Sequence, residues 1–358
     1  MNMTAIKGPA IYLAQFIRDE EPFGSLEGMC RWAADLGYKA IQLPTWDGRF
    51  FNLRLAAESQ NYCDERLGVM KENGLELVEI CSYLQGQMMA VHPAYEKLFQ
   101  SFYPKGLNHK ERLEWAAEQL LLTIRASVRL GTKNISVLSG GFAWPYIYPW
   151  PQRPEGFTDE AFAELGRRWL PVLQNAAESG ITFGFELHPG SDLHDGATFE
   201  RFLGVTGEPP SAAITYDPSH MLLQNMDYLE FIRLYHDKIT CFHVKDAEFV
   251  KSGRSGVYGG YQDWVDRPGR FRSLGDGQVD FKSVFSLLTQ YGYKGWAVLE
   301  WECCLKSPEQ GASEGAEFIR RHIIRTSEIA FDDFAKSGAS KKDYDAILGF
   351  GNGATDSF

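Results

Sequence analysis

Four apolar runs in the second half of the chain each end in a residue that could do acid–base or metal chemistry. In ITFGFELHP (181–189), side chains alternate with period two, so Thr182, Gly184, Glu186 and His188 share one face. AAITYDPSH (212–220) breaks at Asp217, with Pro218 next and His220 three residues on. ITCFHVKD (239–246) sets Cys241, His243 and Lys245 on one face, and WAVLEWE (296–302) sets Val298, Glu300 and Glu302 on one face. If those ends meet, three carboxylates and an imidazole share one site. Carboxylates gathered without counter-charge repel one another, and some must then hold protons. A divalent cation removes that difficulty. Two Glu, one Asp and one His form an oxygen and nitrogen set suited to Mn²⁺, the expected ion, or to Mg²⁺, Co²⁺ or Zn²⁺; it lacks the thiolates of a structural zinc site.

Each residue also has a plainer reading. Glu186 could pair with an Arg, Asp217-Pro218 could only start a turn, and His243 could be a hydrogen-bonded core residue. What favours the site is that four successive strand ends carry the residues together.

The elements needed to bring them together are legible along the whole chain. AIYLAQF (10–16) precedes a helical pattern over 25–36, AIQLP (40–44) one over about 62–72, and LELVEICSY (75–83) a long one over about 110–130. NISVLSG (134–140) precedes one over about 159–178, and the four runs above precede patterns near 197–203, 226–235, 281–291 and 313–330, the third of these capped by Asp280. Gly37, Gly74, Gly131, Gly180 and Gly292 stand where helices should stop in a left-handed turn. Eight strands, each followed by a helix, predict a parallel sheet closed into a (β/α)8 TIM barrel, an α/β fold over residues 1–330. An open doubly wound sheet would carry a Gly-rich phosphate turn after its first strand, and LAQFIRDEEPFG is not one. The long connections, 84–109, 139–158 and 246–279, all follow strands, the face where barrel enzymes place their sites. Residues 331–358 form a Gly/Ser/Asp-rich C-terminal extension with a small helical pattern at 341–348.

The chain has 358 residues, 44% hydrophobic, and a formal net charge of −11. This charge argues against nucleic-acid binding, because phosphate backbones are repelled and no local basic patch stands out. No apolar run reaches the roughly 20 residues of a membrane span, and the first residues carry no signal-peptide pattern. The six cysteines lack metal-type spacing and read as free thiols, which fits a cytoplasmic setting.

FGFELHPG, TYDPSH, CFHVKDAE and KGWAVLEWE resemble the xylose isomerase-like TIM-barrel superfamily of sugar isomerases and epimerases, which includes tagatose/psicose 3-epimerases, inosose dehydratase and endonuclease IV. The resemblance covers about residues 8–325 and is strongest over 181–302. It implies Glu186, Asp217, His243 and Glu300 as metal ligands and His220 as a substrate contact beside the metal. It further implies that Glu186 and Glu300 take and return a proton on opposite faces of a keto-sugar. A homo-oligomer is a further expectation from the family.

Such a cation would polarise a carbonyl and acidify the adjacent C–H, with a carboxylate removing the proton. The expected reaction is therefore isomerisation or epimerisation of a small carbohydrate. The alternative is elimination from a 3-oxo-glycoside or an inosose. Lys245, Glu302 and His188 are expected as substrate or supporting contacts, Trp46 and Arg272 as substrate contacts from long loops, and His194 flanks the site. The ketose epimerases place an Arg shortly after the strand-seven His; here Phe249 stands at about that point. The segment 246–279, with Tyr258, Tyr261, Trp264, Arg267, Arg270 and Arg272, is expected to form a lid. Together with Tyr83, His92, Trp144 and Trp150, these aromatics favour a substrate bulkier than a triose. Endonuclease-type DNA repair is disfavoured by the negative charge and by only eight His, and a non-catalytic barrel by the presence of all four ligand positions.

Overall fold

The computed structural model describes residues 6–326 and 340–350. Eight parallel strands close into a barrel: β1 (Lys7–Tyr12), β2 (Ala40–Pro44), β3 (Glu76–Cys81), β4 (Asn134–Val137), β5 (Thr182–Glu186), β6 (Ala212–Tyr216), β7 (Ile239–Val244) and, after a separate two-stranded ribbon of β8 (Asp246–Phe249) and β9 (Gly269–Arg272), β10 (Trp296–Leu299). Each barrel strand pairs with its neighbours in chain order, and β1 closes the ring against β10. The expected (β/α)8 fold is the one found.

Period-two alternation divides the barrel into two environments. Outward-facing Ile11, Ile41, Ile80, Ile135, Phe183, Phe185, Ile214, Phe242 and Leu299 join the apolar layer beneath the helices. Inward-facing Ala10, Ala40, Cys81, Cys241 and Val298 form a second, smaller cluster with Tyr12 and Tyr83. Small inner side chains leave room for buried polar groups among them, notably Gln42, Glu79, Ser136 and Thr215. Gly184 is required here: a Cβ at this position would lie 2.6 Å from the Thr215 hydroxyl.

The helices mostly lie where the pattern places them. Long helices run over His109–Leu130 and Phe157–Glu178, and Asp280 caps Phe281–Gln290 by accepting from the Ser283 N–H. The five glycines read as helix stops all have φ between 67° and 92°. Three differences stand out. A helix over Leu53–Glu58, capped by Asn52, precedes the expected one at Gln60–Glu72. The last barrel helix begins earlier than Ser313 and runs Pro308–His322, because Ser307 caps it and Pro308 occupies the first turn; the 327–330 end of that expectation lies outside the described residues. Finally, 246–279 is not wholly loop, since β8 and β9 pair antiparallel from Asp246↔Arg272 to Phe249↔Gly269.

Residues 6–324 belong to one compact unit; in the other unit, Lys341–Ile347 is helical as expected. No helix among the described residues is long and apolar enough to cross a membrane.

Candidate metal centre

β5, β6, β7 and β10 are consecutive around the barrel, so their C-terminal ends converge. Register fixes the levels: Glu186 is opposite Thr215, and His243 is opposite Val298, two residues before Glu300. Ligand atoms of Glu186, Asp217, His243 and Glu300 all lie within 4.8 Å of one another, and all four residues are buried.

Asp217, Glu300 and His243 are each held by one atom and leave another for the centre. Asp217 caps the short helix Pro218–Leu223 by accepting from the Ser219 N–H at 2.8 Å through Oδ1, while buried Oδ2 accepts no hydrogen bond. Glu300 Oε1 accepts from Gln15 Nε2 at 3.0 Å; its Oε2 lies 2.8 Å from His243 Nδ1. Glu186 Oε1 lies 3.3 Å from the same ring nitrogen and also accepts no hydrogen bond. On its far side, His243 Nε2 meets Gln42 Oε1 at 3.0 Å. Orphaned carboxylate oxygens facing a ring nitrogen are the environment a divalent cation completes. The donor set therefore fits a hard or borderline metal ion.

The electrostatics of the protein atoms alone point the same way. Burial, then the charge of Glu300, raises the Glu186 carboxyl. Burial above all pushes Asp217 up to about 7. Burial would raise Glu300 too, but Lys245 and His243 outweigh it and hold its carboxyl low. Burial disfavours charge on His243, yet Glu300 and Glu186 raise its pKa well above the usual histidine range. The carboxylates are driven apart in acidity because positive charge is scarce among them.

Around this cluster lie further polar groups. Lys245 Nζ is buried and lies 2.9 Å from Glu302, 3.4 Å from Glu300 and 3.7 Å from Asp217. His220 Nε2 lies 3.4 Å from both Asp217 Oδ2 and Lys245 Nζ, and its ring contacts His188 at 4.1 Å between centroids. Burial lowers the pKa of both imidazoles, helped by Lys245.

Most of the residues singled out in the sequence are thus brought together: Glu186, Asp217, His243, Glu300, His220, His188, Lys245 and Glu302. Trp46 is one ring removed, edge-on to Tyr12, which stacks on His243. Arg272 sits on β9 with its guanidinium on Glu248 at 2.7 Å. The ribbon instead presents Phe271, whose ring lies beneath Lys245 Nζ at 4.4 Å and edge-on to His220. His194 contacts Trp144 and the Asp192 carbonyl. Sequence reasoning missed Gln15, Tyr12, Gln42, Glu79 and Phe271. For Gln42 and Glu79 the signal was a polar residue in the middle of a buried apolar strand.

A family profile described as xylose isomerase-like TIM barrel matches residues 30–322. The chain belongs to the xylose isomerase-like TIM barrels. Among curated proteins, the inosose dehydratase of Lactiplantibacillus plantarum is 26% identical over 170 residues, which cover 47% of this chain and 56% of that protein. The chain thus spans about half the length of such relatives. Solved xylose isomerase-like barrels share the fold. The 3-keto-D-glucoside 4-epimerase of E. coli has a TM-score of 0.60 and 16% identity over 87% of this chain and 98% of its own. The probable 3-DHS dehydratase of Bacillus anthracis has a TM-score of 0.60 and 14% identity over 88% and 99%.

Proposed function

We propose that this protein is a divalent-metal-dependent enzyme that removes a proton next to the carbonyl of a keto-sugar or related carbohydrate and returns it as an isomerase or epimerase. Glu186, Asp217, His243 and Glu300 hold the ion, with Mn²⁺ the expected metal. The observation that supports this reading is that ligand atoms of Glu186, Asp217, His243 and Glu300 lie within 4.8 Å of one another while buried Glu186 Oε1 and Asp217 Oδ2 accept no hydrogen bond. The bound cation would supply Lewis acidity toward substrate oxygens, making the adjacent C–H more acidic.

The protein groups do the remaining work. Glu186 and Glu300 arrive from non-adjacent strands, with His243 on β7 among them, so each carboxylate can address a different side of a substrate carbon. Burial raises the basicity of Glu186, the direction a general base needs. Neutral His220 and charged Lys245 stand beside them to orient substrate hydroxyls, and the rings of Tyr12, Tyr83 and Phe271 pack against His243 and His220.

Elimination is the second reading, favoured by a specific arrangement. Lys245 Nζ, 3.4 Å from His220 Nε2, can pass a proton to a departing hydroxyl after the same C–H step. Relatives named as inosose dehydratase and as a 3-DHS dehydratase also support it. Incubation with keto-sugars and with 3-oxo-glucosides or inososes in deuterated water, plus Mn²⁺, separates the two: label incorporated into a recovered or epimerised sugar supports the first, an unsaturated product the second. No exchange with any of them would overturn both.

A further inference from the structure

Beneath the candidate metal centre the barrel holds a buried hydrogen-bonded chain to which the proposed reaction assigns no role. The Thr215 and Ser136 hydroxyls are 2.7 Å apart, and Ser136 donates to Glu79 Oε1. Gln42 Nε2 donates to the same oxygen at 3.0 Å, and Gln42 Oε1 lies 3.0 Å from His243 Nε2. Glu79, Ser136, Gln42 and His243 are at most 1% exposed, so solvent cannot replace a missing partner.

We infer that Glu79 and Gln42 are positioning residues that set the tautomer of His243, presenting Nδ1 as the metal-binding nitrogen; this rests on the metal-dependent reading of the site.

Hydrogen-bond polarity alone fixes the tautomer. Glu79 Oε1 takes two donors, so it acts as an acceptor. The Gln42 amide must therefore turn its NH₂ toward Glu79, which leaves its carbonyl oxygen facing the imidazole. A carbonyl oxygen only accepts, so His243 must carry hydrogen on Nε2. The neutral ring then has its lone pair on Nδ1, the nitrogen that points at Glu186 and Glu300. Reversing the amide would set oxygen against the Glu79 carboxylate and NH₂ against Nε2. The ring hydrogen would move to Nδ1 and occupy the direction a cation needs. A carboxylate acting through an amide thus supplies what a carboxylate bound directly to a ligating His supplies elsewhere: orientation, tautomer and basicity. The side chains come from β2, β3, β4 and β7, so none of this is a local turn effect.

The test uses the full chain with Glu79→Gln, which is nearly isosteric but can donate to Gln42 and reverse the amide, and with Gln42→Met, which removes the acceptor. Mn²⁺ affinity is measured by titration with detection of free Mn²⁺. The ring hydrogens are followed by ¹H–¹⁵N spectra of histidine-labelled protein loaded with Zn²⁺, which is diamagnetic. The expected result is a wild-type His243 N–H on Nε2, lost or moved to Nδ1 in Glu79→Gln, with Mn²⁺ binding weakened roughly ten- to a hundred-fold in both variants. Lost packing alone would not relocate that hydrogen. If wild type binds Mn²⁺ and Glu79→Gln binds it within twofold with Nε2–H retained, the inference is overturned and the metal reading stands. If wild type binds neither Mn²⁺ nor Zn²⁺, the metal reading falls and takes this inference with it.

Discussion

Lys245 Nζ and His220 Nε2 stand 3.4 Å apart inside the barrel mouth, two nitrogens that cannot both be positively charged at that distance. Four carboxylates, Glu300, Glu302, Asp217 and Glu186, stabilise charge on Lys245 against the opposing effect of burial. Burial first, and then neighbouring His188 and Lys245, keeps His220 neutral. The ammonium therefore donates and the imidazole accepts, leaving the other His220 nitrogen as the N–H.

His220 is placed to touch substrate rather than hold the ion. His220→Ala is expected to lower turnover at least tenfold while leaving bound Mn²⁺ near one per chain. Metal analysis beside steady-state kinetics checks this, and a variant stripped of metal would make His220 a ligand.

Glu186→Gln and Glu300→Gln keep the shape of the site but remove its bases. Each should reduce substrate C–H exchange in deuterated water by at least about a hundredfold, the scale of general-base catalysis, with an unchanged circular dichroism spectrum. Near-normal exchange in both variants removes them from proton transfer.

Lys245→Met leaves Glu300 without its buried ammonium partner. Breaking a buried ion pair from one side costs about 3 kcal/mol or more, and urea denaturation of the metal-free protein should register a loss of that order. Under the elimination reading the same variant should retain C–H exchange but lose the unsaturated product.

The response to Mn²⁺ should depend on pH through Asp217. Its folded pKa, raised mainly by burial to about 7, lies above the unfolded value near 4. In the metal-free protein its stability contribution is therefore fully present below about pH 4 and is lost as pH rises through 7. A cation binds only the ionised form, so it opposes that loss. The rise in melting temperature on adding Mn²⁺ should be larger at pH 8 than at pH 6. An equal or reversed difference in thermal-shift assays would remove Asp217 from the ligand set.

The barrel and its four convergent residues were legible because they depend on repetition: alternation with period two, glycines at helix stops, and a charged residue at the same point of four successive strands. The ribbon was not. Its strands, DAEF and GRFR, are only four residues each and alternate charged with apolar residues too briefly to stand out, and Glu248 binds both Arg270 and Arg272 across them. Arg272 accordingly reads in the sequence as a free cation and in the fold as part of that clamp. Gln42 and Glu79 each show locally only as a polar residue inside an apolar run; the partner that gives each its meaning lies on another strand, where no local pattern reaches.

The base of the ribbon is drawn together by a single carboxylate. Asp246 accepts from the backbone N–H groups of Ala247, Gly275, Gly277 and Val279, at 2.8 to 3.2 Å, and a Cβ on Gly277 would overlap its Oδ1. Both ends of the excursion are thereby fastened to the barrel at one point, as a bead is closed by a knot. The stretch between the paired strands, 250–268, is therefore where length and side chains can vary with the least effect on the strand ends beneath, a place for substrate preference to diverge while the chemistry below is inherited.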